Sequence, residues 1–261
     1  MINSFKDYKV CSIIWHMANN EQEKKQQILK VTKTDQRKTV DELFAKSKPS
    51  SSYYTFLILA TVIVAAGLLL ENAFIVIGGM LVAPVLTPIF VTALGFAVGQ
   101  GGPIKNASSL LIKSFFIVVL GSFILALIFG IREIGHAFEN TTRTAMLYFL
   151  VAVAAGMAAT FAWVKKENAE VLPGVAIAVS LVPPLSLVGI RLAAFDISLA
   201  RYYFVIFLFN LFGMLVGSLI AFTLLKFYKS EKDVKREVKE LEDETEKKKE
   251  ENLKKKIVEI K

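Results

Sequence analysis

The chain has 261 residues, 54% of them apolar and 21% charged, with a formal net charge of +8. That length allows one or two soluble domains, but the charges stand where no soluble domain would put them. Of 54 charged side chains, 40 lie in residues 1–52 and 226–261, leaving 14 across the 173 residues from Tyr53 to Leu225. Water cannot solvate so apolar a middle, so the chain reads as an integral membrane protein. The single Cys11 excludes a disulfide scaffold and a cysteine metal site. His16 and His136 fall in different segments, which argues against a histidine metal centre. The tails mix both signs of charge, so their lysines are expected beside anionic lipid and not on nucleic acid. A leader of 52 residues, 16 of them charged, precedes the first apolar span, a pattern unlike a cleavable signal peptide.

In chain order, residues 1–52 form a cytoplasmic segment. Within it Ile28, Leu29, Val40, Leu43 and Phe44 suggest one or two short amphipathic helices, solvated and lying against the membrane. Lys46-Ser47-Lys48-Pro49-Ser50-Ser51-Ser52 reads as a linker. Six apolar stretches follow, near 54–70, 73–98, 110–131, 145–164, 171–194 and 202–225, each near the ~20 residues a helix needs to cross the hydrocarbon. Nothing alternates as a membrane strand would, so the fold class is all-α, a polytopic membrane helix bundle. Lys113, near the start of the third span, has a stem long enough to snorkel to the interface. Lys105, Lys113, Lys165 and Lys166 fall on one side of the spans and Arg132, Arg143, Arg191 and Arg201 on the other. The short loops tie, and the basic tails decide for both termini inside. After Leu225 a charged segment, 226–261, carries Val234, Val238 and Leu241 at heptad spacing before the seam fails; a charged helix continuing the last span is expected.

The chain repeats itself weakly. Val64-Ala65-Ala66-Gly67 matches Val153-Ala154-Ala155-Gly156, Glu71-Asn72-Ala73 recurs as Glu167-Asn168-Ala169, and Gly121-Ser122 matches Gly217-Ser218. The second span aligns with the fifth through Ile77/Ile177, Leu81/Leu181, Val82/Val182, Pro84/Pro184 and Ala93/Ala193. Three spans per repeat require the halves 53–131 and 132–225 to be inverted in the bilayer, an arrangement typical of secondary transporters.

Each repeat places two prolines in its central helix: Pro84 and Pro88 in the second span, Pro183 and Pro184 in the fifth. Proline lacks an N–H and clashes with the carbonyl four residues back. The carbonyls of Met80, Pro84, Val179 and Ser180 are therefore expected to lose their helical partners. Freed carbonyls in hydrocarbon cost several kcal/mol each, so both breaks are expected to face one another inside the bundle. Met80, Val179 and Ser180, with the hydroxyls of Thr87, Ser180 and Ser186, would then hold a cation or polar solute, and the half-helix N-termini after the breaks would suit an anionic group. The alternative is a pair of packing kinks that bind nothing. Asn210 either reaches this site or joins helices. No Asp or Glu falls at mid-span, which argues against a buried carboxylate relay. Gly95/Gly99, Gly213/Gly217 and Ala155/Ala159 suit close helix packing. Arg191 and Asp196, at the end of the fifth span, read as an outer gate or a solvated loop. No P-loop, Gly-x-Ser-x-Gly or metal-ligand pair occurs, so neither enzymatic chemistry nor a cofactor or metal is expected.

The stretch Gly78-Gly79-Met80-Leu81-Val82-Ala83-Pro84 with Pro88-Ile89, and the stretch from Gly174 through Ser180-Leu181-Val182-Pro183-Pro184-Leu185, resemble the signatures of the DUF389 family of prokaryotic hydrophobic membrane proteins. Asn210 followed by Gly213 is similar to that family's last span. The likeness covers about 53–225; Gly79 stands where relatives often have Ala, and Thr87 is bulkier than usual there. It implies a multi-span protein of a prokaryotic inner membrane and brings no substrate. The expected function is a secondary transporter or channel-like carrier of a small solute or ion, with membrane lipid and a second copy of the chain as partners. A membrane scaffold or sensor acting through its charged tails is the alternative.

Overall fold

The computed structural model describes residue 31 and residues 33–46, 49–130, 142–165, 172–175 and 181–227, with Arg236 and Lys239 beyond them. Among these residues every regular element is helical: α1 (Lys33–Lys46), α2 (Ser51–Leu69), α3 (Ala73–Val82), α4 (Leu86–Val98), α5 (Gly101–Phe129), α6 (Thr142–Val164), α7 (Val182–Ala193) and α8 (Ile197–Leu224). Four helices are long and apolar enough to cross a membrane: α2, α5, α6 and α8. A fifth span results if α3 and α4, bent by 55° where they meet, count as one. The chain is a multi-pass helical membrane protein. Helices α5 and α8, at 29 and 28 residues, reach about 42–44 Å at 1.5 Å per residue. That exceeds a ~30 Å hydrocarbon core, a mismatch met by tilt or by ends that project beyond it. Both start earlier than hydropathy suggests, because the polar residues at 101–109 and 198–201 extend the helix instead of ending it.

Local chemistry sets the turns. The Ser50 side chain caps α2 by accepting the Tyr53 N–H, Asn72 caps α3 through Phe74 and Ile75, and Asp196 caps α8 through Leu199, each satisfying donors a helix start leaves bare. Three helices close with the same pair of backbone bonds: Glu71 to Leu68 and Asn72 to Gly67, Gly99 to Phe96 and Gln100 to Gly95, Phe195 to Leu192 and Asp196 to Arg191. This turn needs a left-handed residue. Gly99, at φ 70°, takes it without strain, whereas Glu71 (53°) and Phe195 (58°) do not. Gly99 is thus a helix terminator; of the Gly95/Gly99 pair only Gly95 makes a tight contact, against Ile104 of α5.

Several helix pairs pack closely enough to exclude a Cβ. A methyl on Gly67 would lie 2.8 Å from the Val76 nitrogen, and one on Gly79 would lie 2.6 Å from a Val64 methyl, so α3 folds back tightly on α2. Along α6 and α8, Gly156 faces the Met214 carbonyl, Gly213 faces Ala152 and Phe149, and Gly217 sits on the Val153 carbonyl. Helices α2 and α5 run side by side in the same direction, joined by Tyr53 Oη and Ser114 Oγ at 2.9 Å and by Gly121 against Thr61. Helices α6 and α8 do likewise, and Ser218 Oγ donates to the Gly156 carbonyl at 3.3 Å. The seams correspond: Thr61 meets Gly121 in the first and Met157 meets Gly217 in the second, each residue displaced by 96. The Glu-Asn-Ala and Gly-Ser matches share that displacement. The Val-Ala-Ala-Gly match, displaced by 89, stands two helical turns out of this register.

The ends of the bundle follow from the contacts. Ile190 and Ala193 of α7 cluster with Ala126 of α5 and with Leu68 and Leu69 of α2, so the α7–α8 turn lies at the same end as the α2–α3 turn. At the other end the Gln36 amide donates to the Leu225 carbonyl at 2.9 Å. Helix α8 therefore runs opposite to α2 and α5. Helix α1 is not solvated, as its charged sequence suggests. It packs against α4 and α6, with Val40, Leu43 and Phe44 at 0–1% exposure inside the main core. Each such side chain contributes about 1.5–3 kcal/mol on burial, enough for three anchors to hold a helix whose other face is polar. Ile28, Leu29 and the heptad residues Val234, Val238 and Leu241 lie outside the described residues.

Candidate functional site

The site was expected at the proline pairs, and the structure gives the four prolines two different roles. Among the described residues, Pro84 sits in a break between two helices. The residue before a proline is driven out of helical geometry, and Ala83 is extended at φ −70°, ψ 123°. Helix α3 ends there, and α4 starts two residues later behind Val85, which provides no side-chain cap. Pro88 is the third residue of α4, and Pro183 and Pro184 fall in the first turn of α7 behind Leu181, again without a side-chain cap. In a first turn the N–H that proline lacks would have no helical acceptor anyway. These three prolines therefore start half-helices instead of interrupting them, and they reduce the bare donors left in an apolar interior. The Met80 carbonyl, expected to lose its partner, accepts the Ala83 N–H at 3.4 Å, a long bond.

Depth follows from length. Helix α3 has ten residues and hangs about 15 Å below the turn at 70–72; α7 has twelve and begins about 18 Å below the turn at 194–196, at the same end. The α3–α4 break and the start of α7 thus lie at similar depth, near the middle of a ~30 Å core, and α3 and α7 pack against each other. Met80, Val85, Leu181, Val182 and Leu185 belong to one buried cluster. The structure therefore brings Met80, Pro84, Thr87 and Pro88 to the same depth as Pro183, Pro184 and Ser186. Val179 and Ser180, expected to complete the set, lie outside the described residues.

Thr87 and Ser186 are both buried, and Asn210 is 2% exposed on α8, one turn before Gly213 in the stripe that meets α6. Position in that stripe fits the helix-joining role. The Ser186 Oγ has no hydrogen-bond partner, nor has Ser122 Oγ on α5. A buried hydroxyl without a partner costs about 1–3 kcal/mol, so these two are unsatisfied polar points in the interior. Thr61, Thr92, Ser114 and Thr160, by contrast, donate to the carbonyl four residues back. Ser122 escaped sequence reasoning as a polar point, although its Gly-Ser dipeptide had already marked the repeat. A second such feature is Gly189, which α5 approaches so closely that a methyl there would meet the Val119 carbonyl and the Phe123 nitrogen. Arg191, read as part of a gate or solvated loop, is 7% exposed in the last turn of α7, while Asp196 serves as the cap of α8. Among the described residues, no three His, Cys, Asp or Glu side chains gather as a metal site would require.

These helices and this interrupted span define a polytopic helical membrane protein with a partly polar interior at mid-depth. The chain belongs to the DUF389 family, a domain of unknown function whose sequence model matches residues 80–225. The matched stretch begins at Met80, so α2 and most of α3, included in the expected likeness, precede it. An uncharacterised protein of Methanocaldococcus jannaschii is 24% identical over 168 residues, 64% of this chain and 52% of that protein. The chain thus spans about half the length of this curated relative. No solved structure matches it.

Proposed function

We propose that the chain is a secondary transporter or channel-like carrier of a small solute or ion. Its six spans would form two inverted three-helix halves, 53–131 and 132–225, in a prokaryotic plasma membrane with both termini inside. The observation that carries this reading is the meeting, near mid-depth, of the broken α3–α4 span with the start of α7, where the Ser186 hydroxyl lies buried without a partner. Irregular backbone at that depth persists only when buried in protein or beside a wet cavity, and paired half-helices there are how many carriers build their sites. The matching seams, α2 on α5 and α6 on α8, support the duplicated halves, and the opposed directions of α5 and α8 support their inversion. The lysines at 105, 113, 165 and 226 share an end with α1, which supports the inside assignment.

Purified protein in liposomes, screened against labelled ions and small polar solutes, is expected to catalyse flux. Pro84→Ala and Ser186→Ala should each lower it at least tenfold while the protein still elutes as a folded species. Undiminished flux in both would remove the break from the mechanism. The scaffold or sensor reading draws on one observation, the ion pair between Arg236 and Asp41 at 2.9 Å, which ties the C-terminal segment to α1. Deleting residues 230–261 separates the two: a lost cellular phenotype with flux intact favours the scaffold.

A further inference from the structure

We infer that α1 is the inner gate of the pathway through the bundle, held shut by its docking and latched by the C-terminal segment; this rests on the carrier reading above. Helix α4 runs from the break to the inner end, so a solute leaving the break inward travels beside α4. Helix α1 sits where that route ends, packed on α4 and α6, and Val40, Leu43 and Phe44 share one core with Val98 at the end of α4, Val164 at the end of α6, and Leu225 and Phe227 after α8. Apolar side chains from α1, α4, α6 and the end of α8 thus share one buried core at this end.

Three features suit α1 to leave while the spans stay in place. Its hold is three apolar anchors on a helix otherwise rich in charge, KTDQRKTVDELFAK, which water accepts readily. Helix α2 has its own start, capped by Ser50, so undocking α1 does not unwind the first span. The linker with Pro49 and Ser50 between them is short and polar. Two polar ties then hold α1 to the far end of the chain: Gln36 on the Leu225 carbonyl, which is buried, and Asp41 on Arg236, which is part-exposed at 44% and 34%. An exposed pair of this kind is weak and screened by salt, as a reversible latch requires. The C-terminal segment is thereby coupled to the inner mouth, and whatever engages that segment's charges would bias the gate.

The test reads access to the break and needs no known solute. In the full-length protein, with Cys11→Ser as background, Ala83→Cys is reacted with the impermeant thiol reagent trimethylammonioethyl methanethiosulfonate from the inner side of oriented vesicles. Labelling should be slow with α1 intact. It should rise about fivefold in Asp41→Lys, the upper worth of an exposed pair, and more than tenfold in Leu43→Ser with Phe44→Ser. Pairing Asp41→Lys with Arg236→Asp should return it towards the starting rate, a rescue that general loosening would not give. Equal, measurable labelling in every variant would overturn the gate and leave the carrier reading standing. No labelling in any variant, from either side, would overturn both, because the break would then be dry. Asp41→Lys changes a surface residue, so the test holds even if the double serine variant fails to fold.

Discussion

Replacing Gly217 with alanine tests the α6–α8 seam most sharply. The new methyl would fall on the Val153 carbonyl oxygen and within 3.0 Å of the Met157 nitrogen. Both are backbone atoms, so no side chain can rotate aside and the helices must separate. Overpacking of this kind costs about 1–3 kcal/mol, and a backbone obstacle belongs at the upper end. Gly156→Ala, with its methyl 2.5 Å from the Met214 carbonyl, should cost a similar amount. The two together should cost less than the sum, because a seam opened by one has room for the other. Gly78→Ala is the control: nothing lies within 4 Å of a methyl there, and alanine favours a helix over glycine by about 0.5–1 kcal/mol. Unfolding free energies from steric trapping in bicelles would give the comparison. If Gly217→Ala and Gly78→Ala agreed within about 0.5 kcal/mol, the close approach of α6 and α8 would be wrong.

Three further outcomes follow by the same measurement. Tyr53→Phe should cost about 0.5–1 kcal/mol, since Ser114 keeps its bond to the Leu110 carbonyl at 2.8 Å, whereas Ser114→Ala strands the buried phenol and should cost about 1–3 kcal/mol; equal costs would mean the pair is not formed. Asp196→Ala removes the cap on Leu199 and should destabilise by about 1 kcal/mol, with Asp196→Asn largely sparing it. Phe195→Gly should stabilise by about 1 kcal/mol, because the phenylalanine is held at φ 58° while 91% exposed and the left-handed region is costly for it. Destabilisation instead would show that the ring earns its place by contacts outside this chain or in the membrane interface.

Much of the fold is legible in the sequence because lipid imposes one dominant rule, the exclusion of charge, and 40 of 54 charges obey it by position. The glycine seams at Gly213 and Gly217 were legible for a related reason: without hydrophobic drive between helices, small residues decide who packs on whom. Helix α1 and its apolar side, Val40, Leu43 and Phe44, are legible in the sequence, but their docking on α4 and α6 is not, because it depends on a surface formed by distant helices. The break at Pro84 is legible from the proline itself, whereas the first-turn positions of Pro88, Pro183 and Pro184 are not, since a proline in a first turn and one in a helix interior look alike until the helix boundary is known. Register fared similarly. Small-residue strings such as Val-Ala-Ala-Gly recur by composition, whereas the turn sequence Glu-Asn-Ala and the Gly-Ser contact pair are tied to geometry. That the α3–α4 break and the start of α7 share one buried core needed the structure, because it depends on how the helices fold back on one another.

The most direct test of the central claim is a high-resolution experimental density map of the protein in lipid nanodiscs, inspected between Pro84 and Pro184. The account predicts that the two half-helix ends stand within reach of one small molecule, with ordered non-protein density contacting Thr87 or Ser186. Ends separated by packed apolar side chains, or a break at Ala83–Val85 facing acyl chains, would contradict it.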